Sequence, residues 1–187
     1  AVVDGDAFET FLQESINYRF VNWLVRELLY EIRDTGHANP MSVLYEALPE
    51  VDRAELNGNV SVVYTENGKE HREQEQFDVV VRDRMGNPLV VANINDSREP
   101  ATNGQMTDIV QTAERVGNSS GSLAGAFLVT SSFFEPEALE TAEEATSSGL
   151  FSRDKRKSFV NLSRKDGYHL CLLEARNNEF HLAVPEL

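Results

Sequence analysis

Apolar side chains recur at helical spacing from Phe8 to Thr35, at Phe11, Leu12, Ile16, Phe20, Trp23, Leu24, Leu28 and Ile32, and the pattern stops at Gly36. That period draws one apolar stripe along a long amphipathic helix or two abutting ones. A shorter helical piece follows Pro40, with Val43, Leu44, Ala47 and Leu48 on its apolar side. Pro49 should end it, because proline lacks the N–H that the next turn needs. From Val60 the period becomes that of strands. Val60 to Thr65 is β-branched and aromatic, Asn67-Gly68 is a hairpin turn signal, and a polar stretch leads to Phe77-Asp78-Val79-Val80-Val81. Met85-Gly86-Asn87-Pro88 turns the chain into Leu89-Val90-Val91-Ala92-Asn93-Ile94. The last two strands of this meander alternate little, as expected for sheet interior covered on both faces.

Gly104 to Val116 reads as a helix with Met106, Ile109, Val110 and Ala113 on one side, and Asn118 to Gly121 as a polar loop. Ala126 to Thr130 is a short buried strand, and Pro136 opens a helix carrying Ala138, Leu139, Ala142 and Ala145. Ser158–Leu162, Tyr168–Ala175 and Phe180–Val184 close the chain as strands separated by turn residues. The predicted fold is α/β, a central mixed sheet flanked by helices in the order α-βββ-α-β-α-βββ. It forms a single domain over residues 1–187, with an N-terminal helical segment at 8–49, a core at 58–150 and a C-terminal strand segment at 158–185. Ala1 stands where an initiator Met would, so the chain is expected to be part of a longer protein.

Composition narrows the setting. The net charge is −14, from 31 acidic and 17 basic residues, and only Lys69, Lys155, Lys157 and Lys165 are lysines. An acidic, lysine-poor chain with intact apolar periodicity is expected of a halophilic cell; an ordinary acidic protein is the plainer reading. Acidity normally opposes nucleic-acid binding, but in molar salt the Debye length falls to about 3 Å and only local charge clusters are felt. No apolar run approaches the roughly 20 residues that span a bilayer, and a soluble, cytoplasmic protein without membrane contact is expected. Cys171 lies in the apolar run Tyr168–Leu173 and reads as a buried small hydrophobe, with no disulfide framework or cysteine zinc site. His37, His71, His169 and His181 are scattered, which excludes a helical zinc pair. Gly117–Gly125 lacks the lysine of a phosphate loop, and Ser131-Ser132 lacks the flanking glycines of a hydrolase nucleophile.

The order α-βββ-α-β over Ser15 to Thr146, with an acid early in the second core strand and a polar pair ending the third, resembles the restriction-endonuclease-like, or PD-(D/E)XK, superfamily. The resemblance implies that Asp78 and an acid in the third strand hold a divalent cation, with a lysine two residues later to polarise water. Here Asn93 stands at the place of the acid and Asn95 at that of the lysine. Magnesium needs one or two carboxylates before phosphate arrives, and an amide cannot replace an ammonium beside a phosphoryl transition state. Two of three key positions have lost the charge. Asp96 would supply a ligand only if the strand bulged, since alternation sends it opposite to Asn93 and Asn95. A plain structural role for Asp78, capping a turn or facing solvent, stays open. The resemblance also implies a glutamate from the first helix, for which Glu27 and Glu31 are candidates, and a glutamine from the helix after the third strand, Gln105 or Gln111. The metal set is then Asp78, Asp96 and Glu31.

Against the acidic background Arg153, Lys155, Arg156, Lys157, Arg164 and Lys165 form a cation island, with Asn161 and Ser163 as added hydrogen-bond groups. It reads as a phosphate-binding segment on DNA, or as a homodimer or acidic-partner contact facing an acidic helix such as Glu140, Glu143 and Glu144. The expectation is a nuclease-superfamily domain that has lost hydrolysis and keeps a nucleic-acid-associated or regulatory role, with no cofactor. The alternatives are an active magnesium-dependent nuclease using Asp78 with Asp96 or a helical glutamate, and an interaction or dimerisation module.

Overall fold

The computed structural model describes residues 2–3, 6–7, 15–36, 38–39, 41–146, 161–163, 167–176 and 179–182. A small hairpin pairs β1 (Val2–Val3) with β2 (Asp6–Ala7). Helix α1 (Ile16–Arg26) starts where the Ser15 hydroxyl oxygen accepts the Tyr18 N–H at 3.2 Å, one of the orphan donors of a helix start. A break at Glu27 separates it from α2 (Leu28–Asp34), so the first apolar stripe is carried by two abutting helices. Helix α3 (Ser42–Ala47) gives way at Pro49 to a single tight turn, Leu48–Glu50.

The sheet follows as β3 (Val51–Glu66), β4 (Lys69–Asp83) and β5 (Pro88–Asn95), an antiparallel meander. Helix α4 (Asn103–Ser120) crosses over to β6 (Gly125–Thr130), which lies parallel to β5, and α5 (Pro136–Thr146) follows. Beyond come β7 (Asn161–Ser163), β8 (Tyr168–Arg176) and β9 (Glu179–Leu182). Strand β8 runs parallel to β6, and its far edge is shared by β7 at Tyr168–Leu170 and β9 at Leu173–Arg176. The fold is thus mixed α/β, a mixed sheet with helices on both faces.

Alternation decides the two cores. It sends Val90, Ala92, Phe127, Val129, Cys171 and Leu173 to the face covered by α1–α3, where Phe20, Trp23, Leu24, Leu28 and Leu44 meet them. Val91, Ala126, Leu128, Leu170 and Leu172 face α4 and α5, against Met106, Ile109, Ala113, Val116 and Ala138. Each Val, Leu, Ile, Phe or Met among them, fully buried, contributes about 1.5–3 kcal/mol before entropy is counted. Helix α4 is held at its start by a reciprocal box: the Gln105 N–H donates to Thr102 Oγ1 at 3.2 Å and the Thr102 N–H to Gln105 Oε1 at 2.9 Å. Gly121, at φ +67°, ends it.

Strand β3 begins nine residues before the expected Val60. Its first half is polar and contains Asn57-Gly58, which reads as a turn but lies within the strand. Asn57 takes a left-handed φ of +53°, and a Cβ on Gly58 would lie 2.8 Å from Val80 Cγ2, so the Val80 side chain fits against the strand here only because Gly58 has none. The Asn57–Asp78 pair is missing from a register otherwise continuous from Arg53 to Glu66. Phe77 lies in the core under α4 while Val79, two residues on, lies in the opposite core. Regular alternation would put both on one side. The ribbon therefore changes face at Asp78.

Arg82 staples this bend: Nε meets Glu55 Oε1 at 2.8 Å, Nη1 donates to the Gly86 carbonyl at 3.1 Å and Nη2 to that of Asn59 at 2.6 Å. The distal half of the ribbon is anchored to α4. The Arg115 guanidinium sits 4.1 Å over the Tyr64 ring, which stacks on His71 at 5.2 Å, and Arg115 Nη1 pairs with Glu75 at 2.9 Å. Along the edge of β3 the Ser119 hydroxyl accepts the Val63 N–H at 2.8 Å and donates to the Val63 carbonyl at 3.0 Å.

Candidate functional site

Strands β4 and β5 pair through Val81–Val90, Val80–Val91 and Val79–Ala92, and there their ladder stops. Beyond it two side chains take over from the main chain. The Asp78 N–H donates to Asn93 Oδ1 at 3.3 Å, and the Ile94 N–H donates to Asp78 Oδ2 at 2.7 Å. An N–H needs an acceptor opposite it, so the first bond fixes the Asn93 amide: its oxygen faces the strand and its NH2 is the remaining end. The same logic applies to Gln105, whose oxygen accepts the Thr102 N–H.

The strands part over a cleft of about 400 Å³ lined by Gln76, Phe77, Asp78, Asn93, Ile94, Gln105, Asp108 and Leu128. It lies toward the carboxyl end of β5 beside its parallel neighbour β6, the position where open α/β sheets place ligands. Asp78, Asn93 and Gln105, proposed from the sequence, are brought together here. Asp108 was not foreseen. It stands one turn after Gln105 on α4, and that i, i+3 spacing was the available signal.

The other expected residues lie elsewhere. Asn95 shares the Asn93 side of β5, opposite Thr130 of β6, and is buried. Its Nδ2 donates to the Glu99 carbonyl at 2.9 Å and to Thr130 Oγ1 at 3.0 Å, and its Oδ1 accepts from the Ser97 hydroxyl at 3.1 Å. It clasps the β5–α4 connection to the end of β6. Asp96 is exposed and does not line the cleft, and Gln111 is exposed farther along α4. Glu27 and Glu31 line a second cleft of about 390 Å³ with Arg19, Asn22, Trp23, Glu179 and Phe180. Trp23 and Phe180 belong to the core on the α1–α3 face, so Glu31 is not brought to Asp78. Arg153, Lys155, Arg156, Lys157, Arg164 and Lys165 lie outside the described residues.

The cleft's chemistry is now explicit. Two carboxylates line it, and among the described residues no cationic side chain does. A divalent ion asks for convergent anionic oxygens. One Asp78 oxygen is engaged by a main-chain N–H, and Asn93 offers an amino group, a donor and no ligand. Among the described residues no three His, Cys, Asp or Glu side chains gather as a metal site. The residues that line the cleft do not fit magnesium.

Two buried titratable groups stand apart from the cleft. His169 of β8 is fully buried and neither ring nitrogen has a hydrogen-bond partner among the described residues; burial pushes its pKa down to about 4. Complete burial likewise raises the Cys171 thiol.

A mixed α/β domain with a carboxylate–amide cleft at the parting of two central strands is the class that fold and site define. The chain belongs to a family described as a domain of unknown function, DUF7527, whose model matches residues 1–187. No curated protein and no solved structure matches it. No helix among the described residues is long and apolar enough to cross a membrane.

Proposed function

We propose that this is a nucleic-acid-associated domain of the cytoplasm of a halophilic cell, built on a restriction-endonuclease-like core whose hydrolytic chemistry has been lost. The order of one helical layer, three antiparallel strands, a crossover helix and a parallel strand supports the core assignment. One observation carries the functional reading: the Asp78 carboxylate and the Asn93 amide are closed on each other's strands. A carboxylate held by a main-chain N–H next to an amino group performs a structural task where a nuclease would hold its ion. The cleft, lined among the described residues by two carboxylates and no cation, disfavours phosphate. Contact with the phosphate backbone falls to the cation island at Arg153–Lys165.

The test is a cleavage assay with magnesium or manganese in concentrated potassium chloride, because an acidic chain repels itself at low ionic strength. Expected are binding without strand scission, and loss of binding when Lys155, Arg156 and Lys157 are neutralised together. Asn93→Asp, which keeps an acceptor for the Asp78 N–H and adds a second carboxylate, is expected to gain manganese binding in a titration. Metal-dependent scission abolished by Asp78→Ala refutes the reading. Nucleic-acid binding untouched by the triple change, with a homodimer broken instead, assigns the island to subunit contact.

A further inference from the structure

Resting on that non-hydrolytic reading, we propose that the Asp78–Asp108 cleft receives a single uncharged nucleobase, read by its hydrogen-bonding edge. Asp78 Oδ2 is occupied by the Ile94 N–H, Asn93 Oδ1 by the Asp78 N–H and Gln105 Oε1 by the Thr102 N–H. Open among the described residues are Asp78 Oδ1, the Asp108 carboxylate, and the amino groups of Asn93 and Gln105. These form two acceptor–donor pairs. Asp78 with Asn93 belongs to the strands, and Asp108 with Gln105 to the first turns of α4.

Three ligand classes are then weighed by charge and valence. An anion such as phosphate meets two carboxylates and, among the described residues, no cation. A bare ammonium or guanidinium has only donors, and would leave both amino groups facing donors, a mismatch whose cost is that of desolvating them unpaired. An uncharged heterocycle whose edge carries a donor beside an acceptor pairs with both kinds of group, and each nucleobase presents such an edge. Phe77 and Leu128, both almost fully buried, form the apolar part of the lining beside these polar groups. The volume of about 400 Å³ lies within the range of roughly 300–1,000 Å³ typical of small-molecule pockets. A base enters such a pocket only when unpaired, so the source is a single-stranded or extruded nucleotide, or a free nucleoside.

The test uses the intact chain in concentrated potassium chloride and isothermal titration with guanosine, adenosine, cytidine and uridine. Ribose and inorganic phosphate serve as competitors. At least one nucleoside is expected to saturate below the millimolar range, and neither competitor to displace it. Asp108→Asn, an exposed helix position whose replacement leaves the fold intact, is expected to weaken binding about tenfold, as loss of one charged acceptor does. Asp78→Asn, which keeps an oxygen for the Ile94 N–H, is expected to do the same. Displacement of the nucleoside by a single-stranded oligonucleotide, but not by its abasic counterpart, assigns the base to a strand; displacement by neither assigns it to a free nucleoside. No saturation by any nucleoside in the millimolar range overturns the inference, as does displacement by phosphate or an unchanged affinity in Asp108→Asn. Metal-dependent scission would remove the non-hydrolytic reading while base binding stayed measurable, so the two failures are distinct.

Discussion

Acidification should weaken this fold through one buried ring. His169 has no exposed surface, both its nitrogens lack partners among the described residues, and its pKa is pushed down to about 4 by desolvation. In the unfolded chain histidine titrates near 6.5. Between those values the unfolded state holds a proton that the native state refuses, so stability is complete above about pH 6.5 and drains away as pH falls toward 4. The full interval of about 2.5 pH units corresponds to about 3 kcal/mol, and by pH 5 about 2 kcal/mol is lost, a large share of a typical domain's 5–15 kcal/mol. The perturbation is His169→Leu, an apolar side chain that cannot titrate. Urea unfolding of both proteins at pH 7 and pH 5 in the same potassium chloride concentration cancels the shared carboxylates. The parent should lose about 2 kcal/mol more than the variant, and at pH 7 the variant should be at least as stable, since an unpaired polar ring has been removed. Equal losses in the two proteins refute the reasoning.

Three further outcomes follow from the packing. Gly58→Ala places a methyl 2.8 Å from Val80 Cγ2 and should lower stability by about 1–3 kcal/mol in a thermal melt; an unchanged melting temperature would show that the ribbon bend is not tightly fitted. Arg115→Ala leaves the Glu75 carboxylate, half-buried under α4, without its partner and removes the cation from the Tyr64 ring. Hydrogen exchange in residues 58–77 should accelerate while the β5–β6 pair stays protected, for a cost of about 1–3 kcal/mol. Asn95→Ala opens three hydrogen bonds, one buried and two part-buried, and should cost about 2–3 kcal/mol by denaturant titration, whereas Asp96→Ala, exposed one residue away, should cost less than about 0.5 kcal/mol.

What could be read from the chain was whatever a period encodes. Phe20, Trp23, Leu24 and Leu28 announce a helix face, and the unbroken apolar runs of β5 and β6 announce sheet interior; the structure uses both as expected. The first half of β3 was illegible, because its residues are polar and Asn57-Gly58 is a turn signal that tertiary contact with Val80 overrides. Asp78, Asn93 and Gln105 were legible as a set through their places in the element order. Asp108 was not, since only the docking of α4 over the strand parting selects it over Glu114, the other acid of the helix. The roles of Asn93 and Asn95 were also hidden. Two asparagines on one side of one strand differ because one ends beside a parted ladder and the other beside the Thr130 hydroxyl.

The hydroxyl of Ser119 has a bearing on how this protein behaves in a crowded cell. An outermost strand invites a neighbouring molecule to extend it, since its unpaired amides and carbonyls form a ready template. By occupying both groups of Val63 with a single side-chain oxygen, the end of α4 acts as a stopper on lateral growth at a spot where the strand is otherwise apolar and 44% exposed. Resistance to stacking therefore depends on this one small contact, and a chain altered at this serine should remain folded yet associate as its concentration rises.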